Sequence, residues 1–218
     1  GYREEGYIPE ALVNLLALLG WNPGTDQELF SMDDLIAGFH LDKVGKSGAR
    51  FDPEKSRWFN QQHILLLDDR DLVGPFEQEL SRQGVDCPKE KLMVLIPLIK
   101  PRITFLHEVW DQSWFFFRAP EEYDPAVIRK RWKPDTPGMM KEVADRLEGC
   151  NPFNPSGIEE TVKELIAEKE WGTGAVMNAW RLLLVGAATG PGLFDLAAFL
   201  GREETIARMH QGIQHITI

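Results

Sequence analysis

Apolar positions recur with helical spacing along most of the chain. Leu12, Leu15, Leu16 and Leu19 follow the 3.6-residue period, with Val13 and Leu18 on the flanks. Pro9, Glu10 and Gly20 supply start and stop signals, so this first helix is expected to be buried on most sides. FSMDDLIAGF has Phe30 and Leu35 at hydrophobic-staple spacing, and Ser31 and Asp34 at capping-box spacing. Asp52 and Pro53 open a helix on which Trp58, Phe59, Gln62 and Leu66 recur; another runs through VGPFEQELSRQG to Gly84. Leu92, Leu95, Ile99, Ile103, Leu106 and Trp110 continue an apolar stripe that Pro97 and Pro101 should kink or split. Further helices are expected from Thr136 to about Gly149, through IEETVKELIAEKEW behind a Ser156/Glu159 capping box, and at REETIARMHQG.

The densest pattern is WRLLLVGAATGPGLFDLAAFLG, from Trp180 to Gly201. Gly186 ends one apolar helix, Pro191 can open the next, and Gly201 stops it. The AATGPG loop between them holds only small residues. It can present bare backbone groups beside Arg181 and Asp195, or serve as a plain helix–helix connection. No strand period and no internal repeat is present. The expected fold is all-α with two helical subdomains, residues 1–119 and 120–218, divided where Pro120 and Pro125 interrupt the pattern.

The 218 residues, 43% hydrophobic and 27% charged, are globular in composition. No apolar run approaches the ~18 residues of a membrane span. The N-terminal charges argue against a signal peptide, and Cys87 and Cys150 lack metal spacing, so a reducing, cytoplasmic setting without a membrane is expected. The formal net charge is −10, and both parts are acidic: 13 cations against 19 carboxylates in 1–119, and 11 against 15 in 120–218. This balance speaks against non-specific nucleic-acid binding but leaves room for a local basic stripe.

Candidate chemistry is sparse. KVGKSG, with Lys43, Lys46 and Arg50 nearby, is compact, basic and glycine-bearing, but lacks the G-x-x-x-x-G-K-S/T pattern; it is either a solvated loop or a phosphate contact. His63 has no Asp, Cys or second His in a convincing pattern and reads as structural. Asp68, Asp69 and Asp71 lack calcium-loop spacing. Trp114, Phe115, Phe116 and Phe117 read as core because no Lys or Arg interleaves them, in contrast to a base-stacking platform. VIRKRWKP is the densest positive run, with Arg129, Lys130, Arg131 and Lys133 around Trp132. No catalytic nucleophile, carboxylate pair or metal cluster stands out.

Three stretches resemble the class I glutamyl-tRNA synthetases. The Trp180–Gly201 stretch resembles their C-terminal anticodon-binding region, in which an Arg precedes an apolar helix end, a Gly, a G-P-G-L-F segment and an LG stop. GYREEGYIPEALVNLLALLGWNPG resembles the segment after their lysine loop, and KVGKSGARFDPEKSRWFNQQHI, Lys43 to Ile64, is a third match. The three lie in the family's order and span nearly the whole chain. The resemblance implies a stem-contact region in 1–119 and an anticodon-binding subdomain in 120–218. The longer parent would be a monomeric, cytoplasmic ligase that joins glutamate to tRNA(Glu) using ATP and Mg. The family's H-x-G-H-like motif and its K-M/L-S-K lysine loop are both absent here. The 218 residues are therefore expected to hold no catalytic residue, metal or cofactor and to be inactive alone.

The family's anticodon readers carry over to Arg181, Gly190, Pro191 and Leu193, and to Arg102 within KPRITFL. Gly190 stands where some bacterial members have a hydroxyl residue, and Pro101 departs from the pattern around Arg102. Lys43, Lys46, Arg50, Arg129 and Arg131 are candidates for the tRNA backbone. The acidic charge keeps a second reading open, a helical protein-interaction module without RNA binding.

Overall fold

The computed structural model describes residues 1–45 and 51–217. Twelve α-helices lie among the described residues and no strand; an isolated antiparallel bridge joins Trp21 and Val44. The chain forms two compact units, Gly1–Gln112 and Ser113–Ile218. They divide upstream of Pro120 because the aromatic run belongs to the second unit. Phe115 and Phe116 are buried, and Phe116 meets Phe199 edge-on with ring centroids 4.8 Å apart.

In the first unit, α1 (Pro9–Gly20) packs on α3 (Pro53–Leu66), and α4 (Asp69–Arg82) packs on α5 (Lys89–Ile99). Phe59, Ile64, Leu72, Phe76, Leu95 and Ile99 are fully buried at their centre. The short α2 (Met32–Gly38) has the expected reciprocal capping box: Asp34 N–H donates to Ser31 Oγ at 3.1 Å, and Ser31 N–H donates to Asp34 Oδ2 at 3.0 Å. The division between the units falls within the short α6 (Val109–Ser113).

The buried face of α1 differs from the leucine face that the period predicts. Ala11, Asn14 and Leu15 are buried, while Leu16 is 52% exposed. The reason is a polar residue in the core. Asn14 Nδ2 donates to the Glu28 carbonyl at 3.0 Å, and Asn14 Oδ1 accepts from Phe30 N–H at 2.9 Å. His63 Nε2 lies 2.9 Å from the same Oδ1. One amide thus ties α1, the segment before α2, and α3 together, and His63 is structural as expected. Because Oδ1 only accepts, neutral His63 carries its proton on Nε2.

Burial lowers the pKa of His63 below its usual 6.5, partly opposed by the Glu10 carboxylate. The unfolded chain therefore binds the extra proton more readily. Stability is expected to be at its full value above about pH 6.5 and to fall as pH drops through 6.5 toward the lowered folded value. Thermal melts of wild type and His63→Gln between pH 5 and 8 check this. The variant keeps an N–H for Asn14 but should lose this part of the pH dependence.

α5 continues through Pro97 to Ile99, and only then does a 3-10 turn, Lys100–Arg102, take in Pro101. The expected split thus falls after Pro97. Buried Leu95, Ile96 and Ile99 hold the helix across the one backbone bond that Pro97 cannot make. Lys100, the first residue of this turn, is buried, and its Nζ donates to the Leu67 carbonyl and to Asp69 Oδ1 at 2.9 Å.

The second unit is built on α10 (Thr173–Val185), which packs against α7 (Pro125–Arg131), α8 (Thr136–Glu148), α9 (Pro155–Glu168), α11 (Leu193–Leu200) and α12 (Arg202–His215). Val176, Ala179, Trp180 and Leu182 to Val185 are all buried, as the apolar face of a helix packed on five others requires, while Asn178 and Arg181 stay partly exposed. α9 starts upstream of the expected Ser156 box. Asn154 Oδ1 accepts from Gly157 N–H at 2.9 Å, and Pro155 takes the first helical position, where its missing N–H costs nothing.

Candidate nucleic-acid interface

The loop between α10 and α11 is fastened at its start. Gly186 ends α10 with φ +79°, and its carbonyl accepts from Asp124 N–H at 2.8 Å. A Cβ there would lie 2.5 Å from the Glu122 carbonyl oxygen, so only glycine fits.

At its far end the loop differs from the sequence expectation. Pro191 does not open α11, which begins at Leu193 with its first backbone bond from Leu196 N–H to the Gly192 carbonyl at 3.0 Å. Arg181 Nη1 takes the Pro191 carbonyl instead, at 2.8 Å. The guanidinium therefore reaches from the last turns of α10 and clasps the loop. Gly190, between them, has φ +142°, and a Cβ on it would lie 2.8 Å from Arg181 Nη1. The missing side chain is what lets the guanidinium lie against the loop.

Three of the anticodon candidates, Arg181, Gly190 and Pro191, thus form one constellation. Pro191 is buried, and Leu193 is only 2% exposed and packs in the core, so the outer surface of the loop is Ala188, Thr189 and Gly192. Thr189 puts an exposed hydroxyl beside Gly190. Gly190 itself, where a hydroxyl residue stands in some bacterial members of the resembling family, offers only backbone. The Asp195 carboxylate folds back over Gly192, where its Oδ2 would lie 2.2 Å from a Cβ and would have to turn away to admit one.

Arg208 was missed altogether. It is 2% exposed, and its Nη1 donates to the carbonyls of Phe115 and, at 3.3 Å, Leu184. Its Nε donates to Glu204 at 2.7 Å. It caps the last turn of α10 and fixes the segment whose Phe115 ring stands 3.9 Å from the Cβ position of Gly190.

The remaining candidates lie elsewhere. Arg102 ends the 3-10 turn of the first unit and is half-buried. Lys43 is exposed, with Nζ 3.1 Å from the Pro23 carbonyl. Lys46 and Arg50 lie outside the described residues. Arg129 and Arg131 are exposed in the last turn of α7, where cations complement the helix dipole. Among the described residues no cluster of His, Cys, Asp or Glu could hold a metal, and no helix is long and apolar enough to cross a membrane.

Residues 71–213 match the family described as anticodon binding domain, and the chain belongs to that family. Residues 1–58 match the catalytic domain of the class I tRNA synthetases for E and Q. Among similar proteins, the glutamate–tRNA ligases of Bacteroides thetaiotaomicron and Bacteroides fragilis are each 47% identical over 214 residues, which is 98% of this chain. This chain spans 42% of their length. The crystal structure of a glutamate tRNA ligase from Elizabethkingia meningosepticum, in complex with its amino acid, superposes with TM-score 0.95 at 40% identity; it covers all of this chain and 43% of its own.

Proposed function

We propose that this chain is the tRNA-positioning part of a glutamate–tRNA ligase and that it reads the anticodon of tRNA(Glu). The observation that carries the reading is the clasp between Arg181 and the Pro191 carbonyl across Gly190. It holds a guanidinium, whose planar fork suits base edges and base faces, beside a loop with little side-chain bulk. A single-stranded anticodon base has room to approach such a surface. Arg102 is the second reader in this proposal and falls inside the matched 71–213. Pro191 and Leu193 shape the loop from beneath, and Lys43, Lys46, Arg50, Arg129 and Arg131 supply cations for phosphates. In this proposal residues 1–119, Arg102 apart, meet the tRNA stem, and 120–218 bind its anticodon loop.

In the whole ligase, ATP and Mg would activate glutamate. The 218 residues contain neither motif that holds ATP, so no chemical step is assigned to them. The working partner is tRNA(Glu), bound by a cytoplasmic monomer.

Direct binding tests this. The chain should bind tRNA(Glu) more tightly than the same tRNA with a swapped anticodon, by about the 1–3 kcal/mol of a good base contact. With glutamate, ATP and tRNA(Glu) it should release no pyrophosphate. Equal affinity for both tRNAs would favour the protein-interaction reading, and turnover by the chain alone would contradict the division of labour.

A further inference from the structure

A groove of about 550 Å³ opens along α7, lined by Pro125, Ile128, Arg129, Trp132, Lys133 and Pro134, with Thr217 from the end of the chain at its side. This size falls within the ~300–1,000 Å³ of ordinary ligand sites. Pro125, Ile128, Arg129 and Trp132 stand at i, i+3, i+4 and i+7, the spacing of one helix face. Lys130 and Arg131 do not belong to that stripe. The groove therefore has apolar walls and two cations, Arg129 and Lys133, at its edge. Lys133 Nζ also bonds the Arg129 carbonyl at 3.3 Å. The nearest acid before α7, Asp124, is engaged by Ala126 N–H at 2.7 Å as the helix cap.

We propose that this groove docks an acidic peptide segment of a protein partner. One aliphatic or aromatic side chain of the segment sits between Pro125, Ile128 and Pro134, and flanking carboxylates meet Arg129 and Lys133. Two observations favour a peptide over RNA. Trp132, the aromatic residue of the groove, is only 2% exposed and offers no ring face for a base to stack on. The walls that are open are proline and isoleucine, which suit an apolar side chain. Charge complementarity favours an acidic segment. The chain carries a net −10, so its surface at large repels such a partner, while residues 129–133 hold four cations in five positions.

The inference goes beyond tRNA reading and is tested separately from it. A random peptide library is selected against the 218-residue chain, and the recovered peptide is resynthesised for titration. The expected consensus is several Asp or Glu around one large apolar residue. Ile128→Glu should weaken the peptide about tenfold or more, as should the pair Arg129→Glu and Lys133→Glu, with reduced salt dependence for the pair; Lys130→Glu should change little. Ile128→Ala, which adds no charge beside Arg129 and Arg131, should also weaken the peptide and should leave tRNA(Glu) affinity unchanged. Matching far-UV spectra and melting curves establish that the variants fold. Variants at Arg129 and Lys133, both exposed, keep the test decisive if Ile128→Glu unfolds. A library that yields no acidic consensus overturns the proposal. So does a recovered peptide indifferent to these substitutions, or an Ile128→Ala variant that is folded but loses tRNA.

Discussion

Arg208→Ala is expected to destabilise the second unit by about 2–4 kcal/mol. The side chain is buried and donates to the carbonyls of Phe115 and Leu184. Each carbonyl left buried and unpaired costs about 1–3 kcal/mol, and the vacated volume adds a cavity term. Glu204, its carboxylate partner, is half-exposed and can be hydrated once released, so the ion pair adds little to the loss. Denaturant unfolding of wild type and variant measures the effect. A change within ~0.5 kcal/mol, the range of ordinary surface substitutions, would show that water replaces the guanidinium without cost. The loop should loosen as well, because the segment that Arg208 holds places Phe115 beneath Gly190. Weaker protection of the 187–192 amides from hydrogen exchange would report it.

Arg208 also shows where sequence reading stops. Its helix was expected from REETIARMHQG, and α12 forms there. Nothing in that stretch announces a bond to a carbonyl 93 residues away. Periodicity reports which face of a helix is apolar; it is blind to a polar group that is buried because distant backbone needs a donor. Asn14 is the same case in the first unit. It broke the leucine face predicted for α1, since one amide satisfying Glu28, Phe30 and His63 outweighs the burial of Leu16.

Local signals fared better. Ser31 with Asp34, Asp52 with Pro53, and Gly186 each act where the pattern put them, because caps and left-handed glycines are decided within a few residues. The start of α11 moved from Pro191 to Leu193 because a side chain ten residues upstream competes for the Pro191 carbonyl. Of the candidate site, the Arg181 loop was visible as a sequence resemblance. The clasp that joins its parts was not, and neither was the exposed Thr189.

The largest functional effect is expected at Arg181. Its Nη1 is held 2.8 Å from the Pro191 carbonyl, so its position on the loop is set before any RNA arrives. A donor fixed in this way loses little freedom when it meets a base edge. Glutamate anticodons have the form YUC, and pyrimidine acceptors at the discriminating positions match guanidinium donors. Arg181→Ala should therefore remove about 1–3 kcal/mol of preference for the cognate anticodon. Gly190→Ala should act in the same direction while Arg181 is intact. Its Cβ would sit 2.8 Å from Nη1 on a backbone with φ +142°, forcing the guanidinium off the loop. Arg131→Ala, removing an exposed cation of α7, should instead weaken cognate and swapped tRNAs about equally and reduce the salt dependence.

The decisive measurement is the ratio of affinities for tRNA(Glu) and its anticodon-swapped form, taken for wild type and Arg181→Ala at two salt concentrations. A wild-type preference that collapses in the folded variant, at both salts, is the predicted result. A ratio unchanged by Arg181→Ala would contradict anticodon reading by Arg181, leaving it a residue that only ties the end of α10 to the loop.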